Sequence, residues 1–256
     1  MGVILIPESR SAEKYLEILR KNPQDGFVAT KSLTPSAVLA ELRRHYKPPR
    51  TFLDHQTPFQ LLVATVLSAQ CTDARVNTVT PALFNKYPDP AHLAKAGQLE
   101  IETMIHSCGT FRNKATFIRE LSKKIMTDFG GKVPETMEGL TSLPGVGRKT
   151  ASIILYASFG QNLGIAVDTH VQRVSLRLGL TKHRTPEKIE KDLAKALPPE
   201  DWGEINTQMI SHGRAVCTAY SRKCDQCPFQ DRCPSSWTRG KEDLAKPVTK
   251  KPKART

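Results

Sequence analysis

Residues 143–151 read LPGVGRKTA. Two glycines two apart, a proline before them and Arg148-Lys149 after them mark a tight turn. The turn joins the helix-forming stretch MEGLTSLP (137–144) to the apolar run KTASIILYASF (149–159). Glycine at 145 and 147 lets the backbone take positive φ and approach a ligand closely. The second helix begins at the turn, so its free N–H groups and the positive end of its dipole point outward. Such a hairpin suits a phosphate. Leu143, Gly145, Val146, Gly147 and Arg148 are therefore the candidate grip on a nucleic-acid backbone.

Lys149 is the odd member of this turn, because a helix N-terminus disfavours a cation. Two readings stand side by side. Lys149 touches phosphate, or it is partly desolvated there, with a lowered pKa and greater nucleophilicity. A nearby carboxylate would separate them. AVDTHV (166–171) places Asp168 just before another apolar helix, where aspartate serves as an N-cap and can also serve as a catalyst. A lysine and an aspartate beside a backbone grip suggest attack on a sugar carbon.

The bulk composition agrees with a polyanionic partner. The chain has 256 residues, a formal net charge of +13 and a pI near 9.6. Residues 239–256 carry +5 of that charge, which leaves +8 on the body. No segment is apolar and long enough to span a bilayer, and MGVILIPESR lacks the pattern of a secretory signal. The expectation is an intracellular protein, where disulfides are rare. Six cysteines then call for another explanation.

Working outward, Thr-Pro pairs at 34–35, 57–58 and 185–186 each open a helix-like stretch, with threonine as cap and proline in the first turn. Breaks fall at YPDP, at Gly109 and at FGGKVP. Alternating strand patterns are nearly absent, so the expected class is all-α. Residues 1–33 read as an N-terminal extension with one amphipathic helix, SAEKYLEILRK. Residues 239–256, rich in Lys, Pro, Thr and Ala, read as a disordered basic tail.

Cys217, Cys224, Cys227 and Cys233 follow the spacing C-x6-C-x2-C-x5-C. The intervening TAYSRK and PFQDR are too polar for a core, so a shared metal centre explains the clustering best. Zinc sites usually show two short knuckles, and here one pair is close. The longer gaps also suit a four-iron, four-sulfur cube, and spacing alone leaves both open. Arg222 and Lys223, inside the loop, are either phosphate contacts or a solvated face. Cys71 and Cys108 stand apart and read as small core residues.

LPGVG resembles the helix–hairpin–helix DNA-binding motif. LLVATVLSAQCTD (61–73), LPGVGRKTA, AVDTHV and the cysteine cluster, in that order, resemble the endonuclease III family of DNA glycosylases with apurinic/apyrimidinic lyase activity, over roughly residues 34–238. The resemblance implies two helical lobes with a DNA cleft between them. A six-helix lobe would span 52–164, and a cluster lobe would combine 34–51 with 165–238. It implies a 4Fe-4S cluster on Cys217, Cys224, Cys227 and Cys233, with Lys149 as Schiff-base nucleophile and Asp168 as its essential carboxylate. Gln70 would fill the gap left by a flipped base, and His170 would join the DNA-binding set. The implied partner is double-stranded DNA carrying a damaged base or abasic site, bound by a monomer. The expected compartment is the nucleoid-containing cytoplasm of a prokaryote, or the nucleus or mitochondrion of a eukaryote. Adenine-mismatch glycosylases share the fold but usually lack the lysine. One departure stands out. Where the family often has a leucine wedge in G-L-Y-N-x-K, this chain reads GTFRNK, so Thr110 or Phe111 must serve or the wedge is weaker.

Overall fold

The structure, a computed structural model, describes residues 32–238. Eleven α-helices account for most of them: α1 Pro35–His45, α2 Pro58–Leu67, α3 Asp73–Lys86, α4 Pro90–Ala94, α5 Gln98–Ile105, α6 Phe111–Asp128, α7 Met137–Thr141, α8 Arg148–Phe159, α9 Thr169–Leu178, α10 Pro186–Ala196 and α11 Trp202–Ala215. No strand forms among the described residues; one isolated bridge pairs Cys217 with Arg222. Side-chain caps start many of the helices. Thr34, Thr57 and Thr72 accept from the backbone N–H three residues on, and Asp89 and Thr136 do the same. Such caps satisfy first-turn donors that the helix itself leaves open. Thr185 precedes α10 without making this bond.

The apolar side chains gather into two cores. The first runs from Leu53 to Leu155 and is centred on α2, in which every residue from Phe59 to Leu67 is buried. A helix apolar on all sides must be packed on all sides. The second joins Leu33, Val38, Leu39 and Leu42 to residues 165–233, including Phe229 and Cys233. Helix α11 touches α1, α8 and α9, and so connects the helices of both cores.

Seven helical segments fall within 52–164, two of which, α4 and α7, are only five residues long. The helix expected near the N-terminus and the tail 239–256 lie outside the described residues. Leu33, assigned above to the extension, is instead buried in the second core.

Candidate active site

A cavity of about 630 Å³ opens where α2, α3, α8, α9 and α11 meet. Lys149 and Asp168 line it together with Gln70 and His170, four residues singled out from sequence. Each is placed by a helix end. Gly145, at φ 77°, turns the chain, and the Val146 N–H bonds the Leu143 carbonyl at 3.1 Å to close the hairpin. Gly147 is the N-cap of α8 at φ −95°, so only one of the two glycines uses the left-handed region. Gly147 supplies no side-chain cap, which leaves the first-turn N–H groups of α8 open to an anion.

Leu143 and Val146 are buried in the first core, so their side chains hold the hairpin from within. Arg148 is exposed and reaches Glu190 of α10 at 3.4 Å. Lys149 is also exposed. The partial desolvation expected of it is absent from the DNA-free chain, because the wide cavity leaves its stem in solvent.

Asp168 caps α9. Its Oδ1 accepts from the backbone N–H groups of His170 and Val171, both at 2.8 Å. Oδ2 makes no hydrogen bond among the described residues, and the half-buried Asp168 lines the cavity. Asn206 of α11, which sequence reading missed, donates to the Ala166 carbonyl at 2.5 Å and so fixes the segment that delivers Asp168. His170 is held below the ordinary imidazole range by burial, against the pull of Asp168, and is neutral at pH 7. Its Nδ1 accepts from Arg173 Nη2 at 3.0 Å, which leaves the proton on Nε2. Arg173 is held in turn by the carbonyls of Gly213 (3.0 Å) and Cys217 (3.1 Å). The rim also carries Arg214, paired with Asp73 and stacked 4.5 Å from the Phe52 ring centroid. These rim and wall residues come from distant segments, and no local sequence signal announces them.

Gln70 (φ 53°) and Thr110 (φ 56°) are the only non-glycine residues with positive φ among those described. Left-handed backbone at ordinary residues costs energy and collects at functional sites. The two loops abut, since a Cβ built on Gly109 would lie 3.5 Å from the Gln70 carbonyl oxygen. Thr110 is exposed at the tip. Phe111 is half-buried and packs against the first core with Arg112 stacked 5.1 Å over its ring.

The four clustered cysteines line one small separate cavity behind α9 and α11. Among the described residues no three Cys, His, Asp or Glu side chains converge closely enough for a single metal ion. Arg177 Nη1 lies 3.4 Å from Cys217 Sγ, and His212 Nε2 lies 3.8 Å from Cys227 Sγ. Four thiols spaced round a cavity, with N–H groups directed at their sulfurs, suit a polynuclear centre better than one ion. Arg222 bonds the Ser235 carbonyl at 2.6 Å within this loop, and neither Arg222 nor Lys223 reaches the larger cavity.

Residues 63–199 match the HhH-GPD superfamily base excision DNA repair protein family. The chain is 51% identical over 209 residues to endonuclease III of Synechocystis sp., covering 82% of this chain and 95% of that protein. It is 45% identical to the Bacillus subtilis enzyme, covering 76% and 89%, and 37% identical to that of Escherichia coli, covering 77% and 92%. Among solved structures, a trapped endonuclease III–DNA covalent intermediate superposes with a TM-score of 0.76 at 41% identity, covering 83% of this chain and 99% of that one. A thermostable thymine-DNA glycosylase, at 19% identity and a TM-score of 0.67 over 88% and 98%, shares the fold. The chain belongs to the endonuclease III family within the HhH-GPD superfamily of base excision DNA repair proteins.

Proposed function

We propose that this chain is a bifunctional DNA glycosylase and apurinic/apyrimidinic lyase that removes oxidised pyrimidines of the thymine glycol class. The observation that carries the reading is the convergence of Lys149, Asp168, His170 and Gln70 on one cavity beside an open helix N-terminus. The damaged nucleotide leaves the stack and enters the cavity, a step that is cheapest for a base already weakened by damage. Lys149 Nζ attacks C1′, the C1′–N bond breaks and the base leaves. The ring C1′–O4′ bond then opens to give the protonated imine, with O4′ taking a proton from Asp168. Loss of a C2′ proton from that imine breaks the C3′–O bond, nicking the strand 3′ to the site. DNA closing over the exposed lysine supplies the desolvation that the free chain lacks. Asp168 uses Oδ1 as the cap and keeps Oδ2 to take a proton from the lysine and to stabilise positive charge on the sugar.

The α8 N-terminus, with Gly145, Gly147 and Arg148, grips phosphate, and neutral His170 offers Nε2–H to another. Gln70 fills the gap left by the flipped base, and Thr110 stands at the wedge position. The two cores correspond in this reading to two lobes, 52–164 and 34–51 with 165–238, flanking the DNA cleft. Cys217, Cys224, Cys227 and Cys233 would hold a 4Fe-4S cluster. Bound there, the cluster would supply a structural clamp on the 217–233 loop rather than chemistry at the sugar. No helix among the described residues is long and apolar enough to cross a membrane, and the relatives named above are bacterial. We therefore place the protein at the nucleoid, acting as a monomer.

Borohydride trapping on a duplex with a single thymine glycol tests the reading. A covalent adduct with the wild type and none with Lys149→Gln is expected. An adduct that persists in Lys149→Gln would refute the assignment of the nucleophile. An adduct on a plain abasic site but none on thymine glycol would keep the lyase and overturn the lesion class.

A further inference from the structure

Lys114 lies in the first turn of α6, only 3% exposed, and its Nζ has no hydrogen-bond partner among the described residues. A buried amine with no partner is uncommon and calls for a function or a compensating neighbour. Its neighbours are two sulfurs. Cys71 and Cys108 both lie within electrostatic reach of the lysine and of each other, and the close approach of Gly109 to Gln70 brings their two loops together. Cys108 is fully buried, whereas Cys71 is half-buried and lines the active-site cavity. Burial lowers the Lys114 pKa, which favours the free amine, and burial with the neighbouring Cys71 pushes the Cys108 thiol up to about 11. Cys71 follows Gln70, and Cys108 precedes Gly109 and Thr110. The sulfurs therefore sit beneath the two strained, abutting loops.

We propose that Cys71 and Cys108 are an oxidisable pair that forms a reversible disulfide between these loops, with Lys114 as the base that releases the Cys71 thiolate. Lys114 takes the Cys71 proton. The thiolate attacks an oxygen of hydrogen peroxide, the O–O bond breaks, and the departing hydroxide takes the proton from Lys114 to leave as water. Cys71 is then a sulfenic acid. The Cys108 sulfur attacks it, the S–O bond breaks, and a second water leaves with the Cys108 proton. Two thiols lose two electrons in all, and one peroxide becomes two waters. The oxidant enters through the cavity that the half-buried Cys71 lines, and a dithiol reverses the reaction.

The consequence rests on the DNA reading above. A disulfide fixes the Gln70–Thr110 spacing, so the loops can no longer part to enter a duplex, and the oxidised protein binds lesion DNA at least tenfold more weakly.

Trypsin releases residues 51–75 and 96–112 as separate peptides, each with one cysteine. The full-length protein is treated with stoichiometric hydrogen peroxide, alkylated, digested and weighed by mass spectrometry. A cross-linked pair two hydrogens lighter than the separate thiol peptides is expected, reversed by dithiothreitol and absent from Cys108→Ser. Recovery of both peptides as alkylated thiols overturns the proposal, as does Cys71 sulfinic acid beside a free Cys108. Lys114→Met removes the unpaired amine without adding bulk and should slow cross-linking at least tenfold; an unchanged rate overturns the role of Lys114. Affinity for a duplex with a tetrahydrofuran abasic analogue is measured in parallel. A cross-link with unaltered affinity overturns the regulatory consequence, whereas reduced protein that fails to bind overturns the DNA reading itself. Recovery with dithiothreitol assigns any loss to the disulfide, because a thiol does not rebuild a lost iron centre.

Discussion

Asp168 has two duties that a pair of substitutions can separate. As N-cap of α9 its Oδ1 accepts two backbone N–H bonds at 2.8 Å. Asparagine keeps an acceptor oxygen in the same place and caps about as well, whereas alanine removes it at a cost of about 1–2 kcal/mol. Loss of the charge at the positive end of the helix costs asparagine roughly 0.3–1 kcal/mol. For a domain of this size each kcal/mol moves Tm by about 2–4 °C. Asp168→Ala should therefore melt about 2–8 °C lower, and Asp168→Asn no more than about 4 °C lower. Activity follows the other duty. Neither variant can accept a proton, so single-turnover strand cleavage at a temperature where both are folded should fall at least about 100-fold in each. Thermal denaturation and borohydride trapping on the same preparations give the two readouts. Wild-type cleavage by Asp168→Asn beside an inactive Asp168→Ala would refute the reasoning and leave Asp168 a cap alone.

At Gly145, φ is 77° and an added Cβ would lie 2.9 Å from Phe117, whereas at Gly147 no atom lies within 4 Å of it. Gly145→Ala should thus destabilise the fold by about 1–3 kcal/mol, while Gly147→Ala should keep its Tm and lose DNA affinity in a filter-binding titration. Gly213→Ala would push a methyl to 2.8 Å from His170 Nδ1 and 2.9 Å from Arg173 Nη2. Displacing that pair should slow cleavage by up to about 100-fold, and an unchanged rate would remove His170 from the site. Burial holds His212 down at about 4 and also lowers His170, so below the unfolded value near 6.5 the unfolded chain binds more protons. Stability is then complete above roughly pH 6.5 and falls as the pH drops toward 4; a Tm flat from pH 7 to 5 contradicts the neutral buried assignment.

The helical class and many helix starts were legible because their signals are local. Thr34 and Thr57 make the cap bonds that their Thr-Pro starts foretell, whereas Thr185 does not. The hairpin was legible for the same reason, since glycine and proline set backbone angles on their own. What stayed hidden depends on packing between segments far apart in the chain. Leu143 and Val146 read as contacts because they flank the turn, yet the first core takes their side chains. Asn206 and Arg214 give no sign in EINTQMISHGR of facing a cavity. Thr110 and Phe111 were equal candidates for the wedge, and no sequence signal shows that Thr110 takes the left-handed region while the Phe111 ring packs against the first core. Cys71 and Cys108, taken as ordinary core residues, share a buried lysine that only the fold brings to them.

Two helix N-termini, those of α8 and α9, deliver the site, and they handle charge in opposite ways. At α9 the carboxylate of Asp168 meets the positive end of the dipole, an arrangement that favours both folding and an ionised group. At α8 there is no capping side chain, and a lysine sits in the first turn where its charge is unfavourable. The second arrangement makes sense once DNA is added. In the function proposed above, phosphate replaces the missing cap and neutralises the local field, so the complex gains what the free chain forgoes. The same reasoning gives Lys149→Gln a sign. Replacing the exposed cation should leave Tm unchanged or slightly higher while it abolishes the imine, as expected of a residue kept for chemistry at some cost to folding. A marked fall in Tm for Lys149→Gln would mean that the lysine holds the hairpin together. Lys149 would then be a packing residue of the turn, not one kept for chemistry at a cost to folding.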